Sequence, residues 1–512
     1  MNYIGLNSPP VREERLGTGI AFGGTTCELR CAQKEGCINR ANRAFSQTQG
    51  CQFTLSLGML NSLRNAVTIM HGPIGCGACS IGSVGTSQTF KRLRDPNAEG
   101  LVWLNTNLNE TDVIAGGENK LREAIRYADR EFRPEVICVP ISCVPSLIGD
   151  DVDSVLAEMQ KETAATLIPI HCAGFKTKAM ATAYDDVYHG VLRHLVEKPD
   201  RREDLVPDDL RDLRQKYQDS RTVNLLNVGS MSRQDETELE RLLKAIDLNV
   251  RWLPCYSDAE DFRQALSSAL NVSICGTHDD YFIEHLKTLY GIPFVIDVMP
   301  IGRRNTARWL LQIAEHFDLQ DRAQQVIDVE DRELDAAFEQ FRPALKDKRV
   351  FLGGGEIRVV ATAEILQDLG MKVIGFKGHH YDRFAEPLFD SLEDVDDVLF
   401  DVATQQPFEQ INLVRRLKPD LYIGHTGGGN LSAKQGLPLL PLFGPTYNYM
   451  GYSGAFDVAR RIRRVLANGQ FNKKIAQHCP LPYRASWYEK DPFHYIKDRQ
   501  EPRGPAPHPA GD

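Results

Sequence analysis

No apolar run in this 512-residue chain approaches the roughly 18 residues that a membrane-spanning helix requires, so no membrane span is expected. The opening stretch from Met1 to Arg15 is polar and holds no apolar segment of the secretory kind, which makes a cytoplasmic location the expectation. Positive charge is in deficit as well. With a net charge of −9 and a pI near 5.9, the chain lacks the basic footprint of a general nucleic-acid binder. Nucleotide signatures are also missing. No G-x-x-x-x-G-K-[ST] loop occurs, and the position that would complete G-x-G-x-x-G after Gly353-Gly354-Gly355 is Arg358. A second triplet, Gly427-Gly428-Gly429, follows a strand-like run and again has no lysine. Both triplets read as tight turns where backbone approaches a neighbour. They are also candidate edges of a cofactor site, because α/β sheets place ligands at strand C-terminal ends. An ATP site in this chain is not expected.

What is present is ordinary in bulk: 42% apolar and 25% charged residues, enough for a sizeable core in about two to four domains. Runs apolar on both faces, as buried parallel strands are, recur at Val67–His71, Val136–Ile141, Thr166–Ile170, Val223–Val228, Val272–Cys275 and Phe294–Val298. They continue at Val350–Leu352, Val373–Phe376, Val398–Val402, Leu421–Ile423 and Leu439–Leu442. Amphipathic helices lie between them; Asp235 to Ile246 puts Leu239, Leu242, Leu243 and Ile246 on one stripe. Strand–helix alternation predicts an α/β protein of three Rossmann-like parallel-sheet domains. Their expected bounds are 1–219, 220–345 and 346–500, with a Pro/Gly-rich, disordered tail over 501–512.

Twelve cysteines in a reducing compartment point to metal binding or catalysis more than to disulfides. Cys138, Cys172, Cys255 and Cys479 have apolar neighbours and read as small buried hydrophobes. Cys27, Cys31 and Cys37 sit in polar surroundings at spacings that would suit a metal, without an evident fourth ligand. Three others occupy distinctive loops. Cys51 stands in Gly50-Cys51-Gln52, Cys76 in Gly72-Pro73-Ile74-Gly75-Cys76-Gly77 and Cys143 in Ser142-Cys143-Val144-Pro145. The last two follow strand-like runs directly. Iron–sulfur clusters need thiolates that converge from separate loops, and flanking glycines let backbone approach the cluster. The alternative for each is a structural thiol.

These loops resemble the large-subunit superfamily of nitrogenase, component 1, whose members include the molybdenum–iron protein, its vanadium and iron-only relatives and the cofactor-assembly scaffold. Gly72 to Gly77, Leu147-Ile148-Gly149-Asp150-Asp151 and Thr111 to Glu118 are signature strings of that family, and the likeness runs over about residues 36 to 465. The resemblance implies that Cys51, Cys76 and Cys143 are this chain's ligands to an interfacial P-cluster, shared with a homologous β-type subunit in an α2β2 heterotetramer. It implies that Cys275 anchors a large catalytic iron–sulfur cofactor, which marks an α-type subunit. Electrons would come from a separate ATP-dependent iron–sulfur reductase.

The pocket departs from the molybdenum pattern. The family's cofactor-binding histidine is missing from Leu440-Pro441-Leu442-Phe443-Gly444, and its nearby arginine falls at Glu356, which reverses the local charge. The glutamine and histidine of the substrate face fall at Met180 and Tyr184. An all-iron cofactor without homocitrate suits these changes. His425, His379 and His380, each at a strand end, are the alternatives for the lost imidazole, and Tyr184 is a candidate proton donor. The chain is similar to the nitrogenase-like methylthio-alkane reductases, which cleave carbon–sulfur bonds of small methylthio compounds. An assembly scaffold and a tetrapyrrole reductase are the competing fates within the superfamily.

Overall fold

The computed structural model describes residues 3–47, 50–80, 82–98, 100–196, 215–218, 220–425 and 431–498. Gly427, the first domain boundary at 219 and the tail 501–512 lie outside the described residues. No helix among the described residues is long and apolar enough to cross a membrane.

Sixteen strands are described: β1 (Phe22–Thr25), β2 (Ala41–Arg43), β3 (Ala66–Met70), β4 (Val102–Asn105), β5 (Val136–Pro140), β6 (Thr166–Ile170), β7 (Thr222–Asn227), β8 (Asn249–Pro254), β9 (Leu270–Ser273), β10 (Phe294–Val295), β11 (Arg349–Gly354), β12 (Lys372–Gly378), β13 (Leu399–Val402), β14 (Leu421–Gly424), β15 (Leu439–Pro441) and β16 (Ile496–Asp498). They build three main sheets. The first is parallel with order β4-β3-β5-β6, and the second is parallel with order β10-β9-β7-β8. The third has order β1-β13-β12-β11-β14-β15, parallel except for β1. A small antiparallel pair joins β16 to β2.

All eleven strands anticipated from two-sided apolar runs are present. The unanticipated β4 and β8 are sheet edges whose residues are mostly half-buried, so they lack the continuous apolar run that marks a central strand. The amphipathic helix falls at Arg233–Ala245, and its four predicted stripe residues are fully covered. The strand β1, early in the chain, pairs antiparallel with β13 and extends the third sheet at its edge. Cys138, Cys172 and Cys255 are buried as expected, but Cys479 is exposed; it follows the helix Gln470–His478, which buries no residue.

Each main sheet has one topological switch point, where the chain reverses the direction in which it adds strands. It lies between β3 and β5 in the first sheet, between β7 and β9 in the second and between β11 and β14 in the third. Loops leaving the C-terminal ends of the two strands diverge there and open a crevice for ligands. The sheets share apolar packing. One cluster spans the second and third sheets through Val223, Val272, Val350 and Leu352, and another joins the first and second through Ile168, Tyr188, Leu226 and Phe282.

A polar clasp fixes how the three sheets meet. Arg12, fully buried in the single turn Arg12–Arg15, contacts Asp185 and Asp280 through Nη1 at 3.0 and 2.9 Å and Asp382 through Nη2 at 3.1 Å. Arg15 adds Asp280 at 2.6 Å and Asp185 at 2.7 Å. Asp185 rides on the helix Thr182–His194 after the first sheet, Asp280 on Gly276–Tyr290 after β9, and Asp382 caps the short helix after β12. Arg12→Ala strands buried carboxylates and should lower stability by about 3–5 kcal/mol, read as a shifted urea midpoint of the purified chain.

His189 ties the N-terminal segment to the same helix pair. Its Nε2–H donates to the Leu6 carbonyl at 2.8 Å, and its Nδ1 accepts from the Tyr281 hydroxyl at 2.7 Å. Burial pushes its pKa down to about 4, below the roughly 6.5 of an unfolded histidine. The unfolded chain therefore binds the extra proton first as pH falls. The contribution is fully present above pH ~6.5 and is lost on acidification through about 4. His189→Gln should flatten the pH dependence of the urea midpoint by about one proton's worth across that window.

Candidate metal centres

The first switch point gathers thiols. Cys76 lies in the short helix Ile74–Ser80 after β3, and Cys143 opens the helix Cys143–Ile148 after β5. Cys51 caps the helix Gln52–Leu60. A Cβ built on Gly174 would lie 2.7 Å from Cys51 Sγ and 3.5 Å from Cys143 Sγ, so these two sulfurs share one cradle that only glycine leaves open. Burial pushes the Cys76 thiol up, and the nearby Cys143, Cys51 and Cys79 sulfurs add to it, since a second thiolate beside a first is unfavourable. Metal binding would release those protons. The loops are braced from behind. Buried His71 meets Thr106 Oγ1 at 3.1 Å and Asp150 Oδ2 at 3.0 Å, and Asp150 also accepts from the Gly117 N–H at 3.0 Å. The three signature strings are thus tied together by one histidine–carboxylate–amide chain.

Large apolar side chains stand exposed on the segments that carry or adjoin these thiols. Ile74, Val113, Ile114, Leu147 and Phe175 stand exposed, Ile114 at 89% and Leu147 at 69%. Such a patch marks a contact surface.

The second and third switch points face a common cavity of about 460 Å³. Cys275, just beyond β9, caps the helix Gly276–Tyr290; Gly355, Glu356 and Arg358 follow β11; His379 and His380 follow β12; and His425 follows β14. Met180 and Tyr184 close it from the first-sheet side. An adjoining cavity of about 590 Å³ is lined by Gly353, Gly354, Lys377, Gln410 and Tyr422 and shares Met180, His379 and His425 with the first. A Cβ on Gly353 would collide with Tyr422, and one on Gly354 would lie 2.8 Å from the Phe443 ring. These two glycines end a strand instead of forming a turn, and their role is close packing.

The electrostatics of the cavity favour an anionic guest held by soft donors. Burial raises the Cys275 thiol to about 12, opposed by the Arg358 guanidinium. Arg358 bonds the Tyr449 hydroxyl through Nε at 3.3 Å, while its buried Nη2 has no hydrogen-bond partner among the described residues. Burial also raises Tyr184, keeping its phenol protonated; the ring packs on His278 at 4.4 Å. Glu356 accepts from Thr277 Oγ1 at 2.8 Å and lies 3.1 Å from His380 Nε2. Burial pulls His380 down, but Glu356 and Asp382 outweigh it and hold its pKa above the usual value. A thiol, open imidazole nitrogens, an orphaned guanidinium nitrogen and buried walls fit an iron–sulfur group at this place.

Residues 51–467 match the family model of nitrogenase component 1 type oxidoreductases. The chain belongs to that family. It is 27% identical to the nitrogenase molybdenum-iron protein alpha chain of Methanosarcina barkeri over 66% of this chain and 61% of that protein. To the nitrogenase iron-molybdenum cofactor biosynthesis protein NifE of Rippkaea orientalis it is 27% identical over 84% of this chain and 87% of that protein. A nitrogenase Cp1 structure superposes with a TM-score of 0.67 over 86% of this chain and 92% of that one, at 21% identity, which establishes the shared fold.

For a nitrogenase component 1 chain, the structure corrects one expectation. Charge reversal at Glu356 does not carry through, because Glu356 turns to Thr277 and His380 while Arg358, two residues on, brings a guanidinium to the cavity. Sequence reading treated Arg358 only as a missing glycine and His71 only as a strand end, and passed over Arg12 altogether. For Arg12 no local signal exists; for Arg358 the signal was an arginine four residues beyond a glycine-terminated strand.

The apolar patch beside the thiols predicts that the isolated chain self-associates. Ile114→Asp with Leu147→Asp should shift its light-scattering mass toward that of a single chain at equal concentration.

Proposed function

We propose that this chain is the cofactor-bearing subunit of a nitrogenase-like reductase that cleaves the carbon–sulfur bond of small methylthio compounds. A cofactor of iron and sulfide anchored by Cys275 supplies the electron-transfer chemistry. Cys51, Cys76 and Cys143 hold this chain's share of an interfacial cluster, and the exposed apolar patch around them is where a homologous β-type subunit docks, in an α2β2 assembly. A separate ATP-hydrolysing iron–sulfur protein delivers the electrons. The net reaction is R–S–CH3 + 2 e− + 2 H+ → R–H + CH3SH, in which the R–S bond breaks, carbon gains a proton and the sulfur leaves as a thiol.

The observation that carries this reading is the chemistry of the cavity wall. Met180 and Tyr184 stand where the resemblance puts a polar glutamine and histidine of the molybdenum relatives, and the lining is mainly apolar, which suits a thioether without charge. Tyr184, held protonated by burial, sits as the proton donor at that wall. Met180 shapes the wall, and Gly355 lets backbone come close to the guest.

The relatives named as cofactor biosynthesis proteins favour a second reading, an assembly scaffold that carries a cofactor without turnover. One experiment separates the two. The chain is isolated without oxygen with its partner subunit and supplied with the iron–sulfur reductase, ATP and dithionite. ATP-dependent methane from dimethyl sulfide, with methanethiol in equal amount, is expected, and Cys275→Ala should abolish it while leaving the interfacial iron. Full iron loading with no product, and transfer of the cofactor to a cofactor-free nitrogenase, would establish the scaffold instead.

A further inference from the structure

Three histidines line the cavity from the third sheet, and their surroundings are not equivalent. His380 is engaged with Glu356 at 3.1 Å and Asp382 at 3.9 Å. His379 has a buried Nδ1 with no partner among the described residues, so nothing fixes which nitrogen carries its proton. His425 differs from both. Its Nδ1 lies 3.2 Å from the backbone carbonyl of Phe443. A carbonyl only accepts, so Nδ1 carries the proton and Nε2 keeps a free lone pair. Among the described residues Nε2 has no hydrogen-bond partner, and the ring lines both cavities. A ring whose far nitrogen donates to a backbone carbonyl is the usual state of a metal-binding histidine.

The topology supports the same residue. His425 leaves β14 beside β11, at the switch point of the third sheet, as Cys275 leaves β9 at the switch point of the second. His379 follows β12, one strand away from the switch point, and stacks on His425 with ring centroids 5.6 Å apart. The segment after β15, which lacks a histidine, contributes the Phe443 carbonyl that orients the ring.

We infer that His425, through Nε2, is the second protein ligand of the cofactor anchored by Cys275, with the Phe443 carbonyl as its positioning group. The inference rests on the proposed cofactor at Cys275. It makes the cofactor a bridge between the second and third sheets, one thiolate from the former and one imidazole from the latter. Iron accepts both donor types.

The test uses the complex with its partner subunit, isolated without oxygen, as wild type, His425→Ala, His379→Ala and Cys275→Ala. Iron is counted before and during exposure to bathophenanthroline disulfonate, and pulsed EPR is recorded with 15N-histidine labelling. The wild type and His379→Ala should show a histidine nitrogen coupled to the cofactor signal. His425→Ala should lose that coupling and release its Cys275-dependent iron roughly tenfold to a hundredfold faster, with added imidazole slowing the release. The interfacial iron, retained throughout, reports that the variant is folded. The chelation rates decide the matter in redox states without an EPR signal. Wild-type rates and coupling in His425→Ala, or their loss in His379→Ala instead, would overturn the assignment while leaving the cofactor in place. Equal iron in Cys275→Ala and wild type would instead remove the proposed cofactor, and this ligand with it.

Discussion

One arginine holds the architecture in register. Arg12 places its guanidinium among carboxylates from three units, Asp185, Asp280 and Asp382, with no exposed surface on any of the four side chains. Burying such charges costs several kcal/mol each, and their mutual attraction repays this only when the geometry is closely satisfied. The clasp is therefore better read as a device for specificity than for stability. Sheets packed through apolar faces alone can slide, whereas carboxylates around one planar guanidinium have a single arrangement. Neighbours of these carboxylates line the cavity: Tyr184 beside Asp185, Thr277 and His278 near Asp280, and His380 two residues before Asp382. Errors in domain placement would be transmitted straight to that wall.

The same economy governs where the reactive groups lie. Three parallel sheets each possess a switch point, and each switch point carries thiol or imidazole chemistry: Cys76 and Cys143 in the first, Cys275 in the second, His425 in the third. The physical cause is the divergence of loops where the winding direction reverses, which leaves backbone ends free to turn toward a guest. The first crevice faces outward, beneath exposed Ile114 and Leu147, and the other two face each other inside the molecule.

The central strands, the buried stripe of Arg233–Ala245 and the converging cysteine loops were legible from the chain, because each is a local pattern of apolar period or glycine-flanked thiol. The edge strands Val102–Asn105 and Asn249–Pro254 were not, since half-covered strands carry no two-sided apolar run. Cys479 misled for the same reason in reverse. Its apolar neighbours follow a helix that lies wholly on the surface, and local composition cannot report on which side of a helix the core is.

By itself the sequence determined the three-sheet α/β class, the superfamily, and the thiols at strand ends, because strand period and loop chemistry are written within a few residues of each other. Only the tertiary structure decided that Arg12 reaches Asp382, 370 residues away. It decided likewise that Arg358 restores the charge Glu356 removes, and that among three strand-end histidines it is His425 whose proton is fixed by a carbonyl 18 residues on. Such contacts depend on the packing of separate units, and no periodicity along the chain encodes which unit a side chain will meet.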